Sequence, residues 1–368
     1  MTMAPTAPAS MSDRTKLTDT LQKVAEQLLV LPYKTWSFGD SIAFEAMVAA
    51  SATLGDDRWL QFARGFVRAW ATRARPYVRL DCTAPGLAMV QIYRATKDPT
   101  VLSGALGLAE YLVTRPRIGG VFATWEHSPL QQPYGPDELS GPELSLLASP
   151  PAGVFIDCLH FDPPFLVALG VATDDRAWIE EGAEQAIGYV HLLQRQDGLF
   201  DHFVLEGSER TYGPEWGRGQ GWALLGLLDV LDELPPEHAR RQELTAAAVR
   251  LVDAMIRVQR EDGHWFAVVG DPGSGDETST AAFMAAGMLR AVRSRLCDDE
   301  VRRAAERALK AALGSTDERG NLRGVSAAVN ACTTPSHYAH VPRGFVVPWG
   351  QGPLALALAE RLRAGPET

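Results

Sequence analysis

Apolar residues recur every three to four positions along almost the whole chain, and this helical spacing is the feature that most limits its fold. The spacing predicts twelve helices, at residues 15–31, 38–53, 56–73, 83–96, 99–113, 160–173, 174–194, 218–233, 238–260, 277–293, 298–313 and 348–364. Short segments with β propensity, such as 198–200 and 264–267, fall between helices and form no strand-rich block. The sequence therefore predicts an all-α protein.

A weak internal repeat groups the predicted helices into pairs. Residues 119–122 (Gly-Gly-Val-Phe), 197–200 (Asp-Gly-Leu-Phe) and 262–265 (Asp-Gly-His-Trp) each follow a long helix with a turn and an apolar residue. A single helical hairpin cannot hide its apolar face, whereas six hairpins in a ring bury one continuous core. We therefore expect residues 13–368 to form one (α/α)6 barrel of six helical hairpins, after a disordered tail at 1–12.

The predicted connections differ in length. Links that leave even-numbered helices are often short, as at 52–56, 97–98 and 173–174, while links that enter even-numbered helices are mostly longer and rich in Trp, Gly, Asp and His. In a barrel of alternating helices, the long links meet at one end. Because functional groups gather on loops that a rigid scaffold positions, we expect the site at that end.

Charge and sequence motifs argue against several classes of function. The net charge is −10 and no run of Lys and Arg interrupts it, which disfavours binding to nucleic acid or to an anionic membrane. The start of the chain shows neither a secretory signal nor a membrane anchor, so a cytoplasmic protein is expected. Since the chain has no metalloprotease, P-loop or Rossmann motif, and His337 and His340 lack nearby carboxylates, we expect no obligatory metal or nucleotide cofactor.

The four cysteines, Cys82, Cys158, Cys297 and Cys332, are far apart in the sequence and form no Cys-x-x-Cys pair. This spacing disfavours both a zinc ribbon and a disulfide framework. Reduced and mostly buried thiols are expected.

Carboxylates and tryptophans stand near the predicted starts of the even-numbered helices. An isolated aspartate at such a position, for example Asp81 or Asp157, is commonly a helix N-cap or a first-turn acid, and this alternative applies to each of them taken singly. Five tryptophans are predicted to share the same rim: Trp36, Trp125, Trp216, Trp222 and Trp349. Since tryptophan is costly to expose, the cluster favours a stacking platform, and the flat C–H faces of sugars suit such a platform.

Arg218 lies between two of these tryptophans. Its planar guanidinium can bind a carboxylate through two parallel hydrogen bonds. The glycines at 217, 219 and 221 would let the backbone approach a ligand closely.

These segments resemble glycoside hydrolase families 88 and 105, the unsaturated glucuronyl and rhamnogalacturonyl hydrolases. The most specific match is Trp-x-Arg-Gly-(Asn/Gln)-Gly-Trp at 216–222, followed by Asp-x-Leu-x-Phe-x-x-Pro-Phe-Leu at 157–166. Further similar segments lie at 81–96, 198–202, 277–279 and 348–352. The resemblance extends over nearly the whole chain.

The resemblance implies an enzyme that removes a 4,5-unsaturated uronic acid from the non-reducing end of a small oligosaccharide. It implies Asp157 as the acid that protonates C4 of the enol ether, and as the base for the water that adds at C5. It implies Asp81 as a second catalytic carboxylate, which would raise the pKa of Asp157. The substrate-binding residues implied are Trp36, Trp125, His127, His202, Trp216, Arg218, Gln220, Trp222 and Trp349.

Two features differ from the family pattern and bear on the substrate class. The link at 128–155 is long, and Asp162 is an acidic residue inside the motif that contains Asp157. Two other functions stay open. A sugar epimerase on the same barrel would use pairs of histidines as bases on free sugars, and a non-catalytic carbohydrate-binding barrel would tolerate loss of Asp157. The motifs are compatible with glucuronate and with galacturonate.

Overall fold

A computed structural model describes residues 11–34, 37–73, 77–126 and 128–364 of the chain. The twelve predicted helices are all present within these residues, together with two that the spacing did not predict, α6 and α13. The helices are α1 (Met11–Leu28), α2 (Phe38–Leu54), α3 (Arg58–Ala71), α4 (Gly86–Thr96), α5 (Pro99–Leu112), α6 (Gly141–Ala148), α7 (Cys158–Thr173), α8 (Arg176–Leu193), α9 (Gly217–Glu233), α10 (Arg241–Arg257), α11 (Thr278–Arg293), α12 (Asp299–Gly314), α13 (Ser336–His340) and α14 (Pro348–Arg363). Helix α4 begins later than predicted because Arg79–Thr83 form a separate 3-10 helix.

Six helices form a closed inner ring. Helices α2, α4, α7, α9, α11 and α14 each contact the next, and α14 packs on α2. Helices α1, α3, α5, α8, α10 and α12 pack outside this ring. An inner helix such as α11 is buried from Thr278 to Val292, whereas the outer α12 buries one stripe at helical spacing: Val301, Ala304, Ala305, Ala308, Leu309, Ala311 and Ala312. The predicted (α/α)6 barrel is confirmed.

The predicted repeat has a shared backbone conformation. Gly120, Gly198 and Gly263 have φ angles of 89°, 98° and 88°, in the left-handed region that favours glycine. Gly320, with a φ angle of 89°, occupies the same place in a fourth copy that the sequence pattern did not reveal. These four turns follow the outer helices α5, α8, α10 and α12, and each starts a link towards the inner ring.

Buried glutamine amides hold the repeated turns. Gln220 accepts a hydrogen bond from the Phe200 N–H at 2.8 Å and donates to the Phe200 carbonyl at 2.8 Å. Gln351 accepts from the Leu322 N–H at 2.6 Å in the corresponding position of the last hairpin. These bonds satisfy backbone groups that would otherwise be buried without partners.

The long links into the inner helices gather at one end of the barrel, as predicted. They contain β1 (Arg117–Ile118), β2 (Val121–Phe122), β3 (Gly153–Phe155), β4 (Phe203–Leu205), β5 (Thr211–Tyr212), β6 (Val325–Ser326) and β7 (Arg343–Phe345). Strands β3, β4 and β5 form an antiparallel sheet that joins the link before α7 to the link before α9. A small apolar cluster packs with this sheet and holds the long 128–155 link and its helix α6: Leu130, Leu147, Phe155, Phe203, Leu205, Tyr212, Ala331 and Cys332.

Helix α1 begins at Met11, inside the segment expected to be a tail, and residues 1–10 lie outside the described part of the chain. Within the described residues, no helix combines the length and the apolar character needed to cross a membrane.

Candidate active site

The pairing of β3 with β4 brings Asp157 and His202 together. Phe155 is opposite Phe203 in the antiparallel register, and the Ile156 N–H donates to the His202 carbonyl at 2.8 Å. As a result, Nε2 of His202 lies 3.3 Å from Oδ2 of Asp157. Two residues from different links thus form one carboxylate–imidazole pair.

Asp157 directly precedes α7 but does not cap it. Its backbone is already helical, and its carboxylate accepts no capping hydrogen bond. The Asp157 side chain is 18% exposed, compared with 4% for His202. The carboxylate is therefore the member of the pair that opens to solvent, and the N-cap alternative does not apply to Asp157.

Tyr338, from helix α13, holds the other side of the imidazole. Its Oη lies 2.7 Å from Nδ1 of His202 and 3.4 Å from the carbonyl oxygen of Cys332. Burial raises the pKa of Tyr338 well above its usual value, so the hydroxyl keeps its proton. The hydroxyl can therefore donate to Nδ1, or accept from it and donate to the Cys332 carbonyl.

A cavity of about 290 Å³ opens beside Asp157 at the end of the barrel that carries the long links. Its wall combines aromatic and apolar side chains with a few polar groups, which is typical of small-molecule sites. Besides Asp157, it is lined by Lys34, Ser37, Phe38, Cys82, Thr83, Thr124, Trp125, Phe155, Cys158, His202, Trp216, Arg218, Val329, Asn330 and Ala331.

Arg218 contributes a buried cation to this wall and is only 1% exposed. Its Nη1 donates to Ser326 Oγ at 2.6 Å and lies 3.3 Å from Glu277 Oε1, while Nη2 donates to the Ala327 carbonyl at 3.0 Å. Burial lowers the pKa of Arg218, but a guanidinium still stays protonated. The Nε–H is buried and has no acceptor among the described residues.

Asp81 lies behind the cavity wall and is 1% exposed. Its Oδ2 accepts hydrogen bonds from Arg73 Nη2 and from the Val78 N–H, both at 2.6 Å. Its neighbours Cys82 and Thr83 line the cavity, but Asp81 itself does not. The structure thus gives Asp81 the first-turn position of its 3-10 helix and does not bring its carboxylate to the cavity.

The predicted tryptophans occupy different places. Trp125 and Trp216 line the cavity, and Trp216 packs on the His202 ring with centroids 4.4 Å apart. Trp222 is 0% exposed in the barrel core, because it lies more than one turn into α9 and faces the other inner helices. Trp349 is half-buried and packs on Phe38, which itself lines the cavity. The expected platform of five tryptophans therefore contains only Trp125 and Trp216 among the described residues.

The remaining predicted binding residues do not line the cavity in the described part of the chain. Gln220 is 1% exposed, and its amide holds the link before α9. Trp36 and His127 lie outside the described residues.

Sequence reasoning missed Tyr338, Lys34 and Asn330. The one signal for this region was the His-x-x-His string of His337 and His340. Burial lowers the pKa of His337 to about 4, so the ring is neutral, and Nδ1 accepts from the Tyr134 N–H while Nε2 donates to the Asn330 carbonyl. His337 therefore ties the 128–155 link to the link that carries Tyr338, and it binds backbone groups through both nitrogens.

Asp162, which departs from the family pattern, is buried in the core of α7 and does not line the cavity. Burial raises its pKa well above the usual range, so it is held as the uncharged acid. It therefore adds no negative charge to the site.

Glu45, His160 and Asp229 have donor atoms within 4.8 Å of one another inside the inner ring, a spacing that a metal ion could use. Nε2 of His160 lies 3.3 Å from Glu45 and Nδ1 lies 3.4 Å from Asp229, to which Arg290 is also paired. Burial lowers the pKa of His160, but the two carboxylates outweigh it and raise the pKa to about 9. Since each ring nitrogen faces a different carboxylate, the group fits a buried imidazolium between two anions better than a shared metal site.

The six-hairpin helical barrel, with a carboxylate–imidazole pair and aromatic walls at one end, is compatible with the class of (α/α)6-barrel glycoside hydrolases. Within this class, Glycosyl Hydrolase Family 88 matches residues 10–365, and the chain belongs to this family. The family expected from the sequence motifs is thus confirmed.

Known proteins similar to this chain support the same assignment. The unsaturated rhamnogalacturonyl hydrolase YesR of Bacillus subtilis is 23% identical over 355 residues, covering 95% of this chain and 96% of that protein. A possible GH105 family member from Salmonella enterica has a TM-score of 0.80 at 22% identity, covering 98% of this chain and 100% of that chain. The unsaturated glucuronyl hydrolase of Bacillus sp. GL1 has a TM-score of 0.68 at 21% identity, covering 94% and 96% of the two chains.

Proposed function

We propose that this protein removes a 4,5-unsaturated uronic acid from the non-reducing end of a short oligosaccharide by hydrating the double bond of that sugar. The observation that carries the proposal is the Asp157–His202 pair, which opens onto a cavity that also contains the Arg218 guanidinium. The names of the relatives in Bacillus subtilis and Bacillus sp. GL1 support the same substrate class. The cavity volume of about 290 Å³ suits the end of a short chain.

Asp157 is proposed to act first as the acid and then as the base. The C4=C5 bond is part of an enol ether, so C4 is the carbon that accepts a proton, and positive charge develops at C5 and the ring oxygen. Water then forms a bond to C5 while its proton passes to the Asp157 carboxylate, which restores the acid. The resulting hemiketal opens by breaking the bond between C5 and the ring oxygen, and the hemiacetal at C1 then releases the remaining sugar as an alcohol.

His202 and Tyr338 would stabilise both protonation states of Asp157. When Asp157 is ionised, Tyr338 donates to Nδ1 and the Nε2–H donates to the carboxylate. When Asp157 is protonated, Nδ1–H donates to Tyr338, Tyr338 donates to the Cys332 carbonyl, and Nε2 can accept from the acid. Either arrangement satisfies every group of this buried set, as low-dielectric networks require.

Arg218 is proposed to attract the carboxylate of the unsaturated sugar through its positive charge in the cavity wall. Trp125 and Trp216 would contact the sugar faces. For Asp81 we propose a positioning role, because its bonds to Arg73 and Val78 hold the segment that presents Cys82 and Thr83 to the cavity. Trp36 and His127 are retained as proposed binding residues on the family resemblance alone.

The proposal is tested by incubating the purified protein with a panel of lyase-generated disaccharides that carry unsaturated glucuronate or galacturonate. Loss of the conjugated double-bond absorbance, together with release of the second sugar, is the expected result. An epimerase would instead act on free saturated sugars, and among the described residues lining the cavity His202 has no second histidine beside it. A panel with no turnover would contradict the proposed activity.

Replacing Tyr338 by Phe should lower kcat by up to about tenfold, since one hydrogen bond of roughly 0.5–1.5 kcal/mol is lost from the His202 ring. Because the hydroxyl makes a different hydrogen bond in each protonation state of Asp157, its loss should stabilise the two states unequally and shift the pH profile of kcat as well. Tyr212→Phe is the matched control, because Tyr212 is also buried at this end of the barrel. Tyr212 accepts from the His202 N–H through its backbone carbonyl at 2.8 Å, and this bond does not involve the hydroxyl that the substitution removes. Equal pH profiles for Tyr338→Phe and wild type would count against the proposed role of Tyr338 in stabilising the protonation states of Asp157.

Replacing Arg218 by Lys keeps the positive charge but removes the planar donor edge. We expect a raised KM with a smaller change in kcat, because binding of the sugar carboxylate weakens while the acid remains. Arg117→Lys, in an exposed pair with Glu181, is the control for the substitution itself. A defect confined to kcat, in a variant with normal circular dichroism, would argue against carboxylate binding by Arg218.

A further inference from the structure

Two of the four free cysteines meet in the cavity wall. Cys82, in the 3-10 helix, and Cys158, the first residue of α7, are each 3% exposed, and both line the cavity. The 3-10 helix packs directly on α7. The Cys82 thiol donates to the Thr124 carbonyl at 3.6 Å, and the Cys82 side chain, as a hydrogen-bonding neighbour, raises the pKa of Cys158. The sulfur atoms are therefore neighbours, and neither has a role in the proposed chemistry.

We propose that Cys82 and Cys158 form an oxidisable thiol pair, and that their conversion to a disulfide deforms the cavity and stops turnover. Formation of the cross-link does not depend on the proposed function, whereas its effect on turnover rests on it. Both residues line the cavity, so a small oxidant that enters the cavity comes next to them.

The chemistry needs one equivalent of peroxide. The thiolate of one cysteine attacks a peroxide oxygen, the O–O bond breaks, and a sulfenic acid and one water are formed. The second sulfur then attacks the sulfenic sulfur, the S–O bond breaks, and a second water leaves as the S–S bond forms. Two thiols and hydrogen peroxide thus give one disulfide and two waters, and two electrons pass from the sulfur pair to the peroxide.

The disulfide would move groups that the reaction needs. Hydrogen-bonded thiols must approach to an S–S distance of about 2.0 Å, which pulls the 3-10 helix and the start of α7 together. Cys158 directly follows Asp157, so this movement displaces the carboxylate from its pair with His202. A displacement of about 1 Å can lower the rate on the order of a hundredfold.

The surroundings also set the pH dependence of the oxidation. The hydrogen bond to Cys82 and the burial of the thiol raise the pKa of Cys158 well above its usual value. Because the thiolate is the nucleophile, oxidation should be slow at neutral pH and faster at alkaline pH.

The other two cysteines serve as internal controls. Cys297 lies in the link that leaves α11, at the opposite end of the barrel, and burial raises its pKa to about 11. Cys332 is buried beside the β3–β4–β5 sheet and does not line the cavity. Cys297→Ser and Cys332→Ser should therefore oxidise at Cys82 and Cys158 as wild type does.

The test treats the purified full chain with hydrogen peroxide and maps its disulfides by mass spectrometry of unreduced peptides. We expect a linked peptide pair containing Cys82 and Cys158, with loss of two hydrogen atoms, and a fall in turnover on the order of a hundredfold that a dithiol reductant reverses. Cys82→Ser and Cys158→Ala, two different replacements that guard against a folding defect, should each abolish the cross-link and the reversible loss of activity.

Separate sulfinic or sulfonic acids at these cysteines, without a linked peptide, would overturn the proposal. A linked peptide with unchanged turnover would overturn the inhibition. If the reduced protein turns over no unsaturated disaccharide, the proposed function fails, and the cross-link is still tested by the peptide map and by the fluorescence of the cavity tryptophans, which should change with oxidation.

Discussion

Replacement of Asp157 by Asn should lower kcat by about 10²–10⁴-fold while leaving the protein folded, because the amide keeps the shape of the acid but has no transferable proton. The side chain is the exposed member of its pair and makes no capping bond, so the fold does not depend on its charge. Substrate binding should survive, since it is proposed to depend on Arg218 and the cavity tryptophans. Steady-state kinetics on an unsaturated disaccharide, with circular dichroism as the folding check, gives the measurement.

Asp162→Asn is the matched control for this experiment. Asp162 belongs to the same sequence motif and the same helix, but it is buried away from the cavity and held uncharged. Since an amide then replaces a neutral acid of similar shape, turnover should stay close to that of wild type. Near-normal turnover by Asp157→Asn, or an equal loss in both variants, would remove Asp157 from the proposed role.

Replacement of His160 by Ala should destabilise the protein by about 3–5 kcal/mol, because it removes the cation from the buried Glu45 carboxylate, while Asp229 keeps its pair with Arg290. His160 is completely buried within the inner ring and lies 3.3 Å from Glu45 and 3.4 Å from Asp229. His191→Ala is the control, because His191 is 62% exposed in its pair with Glu243 and should contribute little. Denaturant unfolding of wild type and both variants gives the free energies.

The same histidine predicts a pH dependence of stability. Its pKa in the folded protein is raised to about 9, above the ordinary value of about 6.5. The contribution of its charge is therefore fully present below about pH 6.5 and is lost as the pH rises through 9. The difference in unfolding free energy between wild type and His160→Ala should shrink between about pH 6.5 and 9.5. A difference that grows over this interval would show that His160 is not a cation in the folded protein.

The outer helices were predictable from the sequence because burial of one face imposes a helical period on them, whereas inner helices such as α11 are buried on all sides and give long, largely apolar segments. The ends of the helices were less predictable, as at Gly86, where α4 begins three residues later than predicted, after a separate 3-10 helix that ends at Thr83. Helices α6 and α13 have only eight and five residues, too short to give a periodic signal. The short β segments predicted at 198–200 and 264–267 contain only isolated bridges, and the strands lie elsewhere in the links, although β3 and β4 determine the site.

Several residues of the candidate site were predictable from the sequence, but the contacts between them were not. Asp157 and His202 were both identified by motif, yet only the register of β3 on β4 makes them partners. Tyr338 carries no motif of its own, so only the fold reveals it beside His202. Trp222 fits the motif well but faces the core of the barrel. Its orientation could not be predicted, because the motif alone does not say which side of an inner helix meets the cavity.

The carboxylate of Asp81 matches the family motif but does not line the cavity. Its predicted catalytic role rested on the family resemblance, while the alternative was a first-turn acid, and its bond to the Val78 N–H matches that alternative. Its ion pair with Arg73 satisfies a buried charge that would otherwise be costly. The role of Asp81 is therefore proposed as positioning, and Asp81→Asn should impair turnover less than Asp157→Asn does.

The central claim is that the sugar is released by protonation at C4, and one measurement tests it most directly. Turnover of an unsaturated disaccharide is carried out in deuterated water, and the released acid is analysed at early times, with exchange into isolated product measured as a blank. The account predicts one deuterium at C4 for each molecule turned over, with parallel loss of the double-bond absorbance. Release of the second sugar with the double bond intact, or a product without deuterium at C4 beyond the blank, would contradict it.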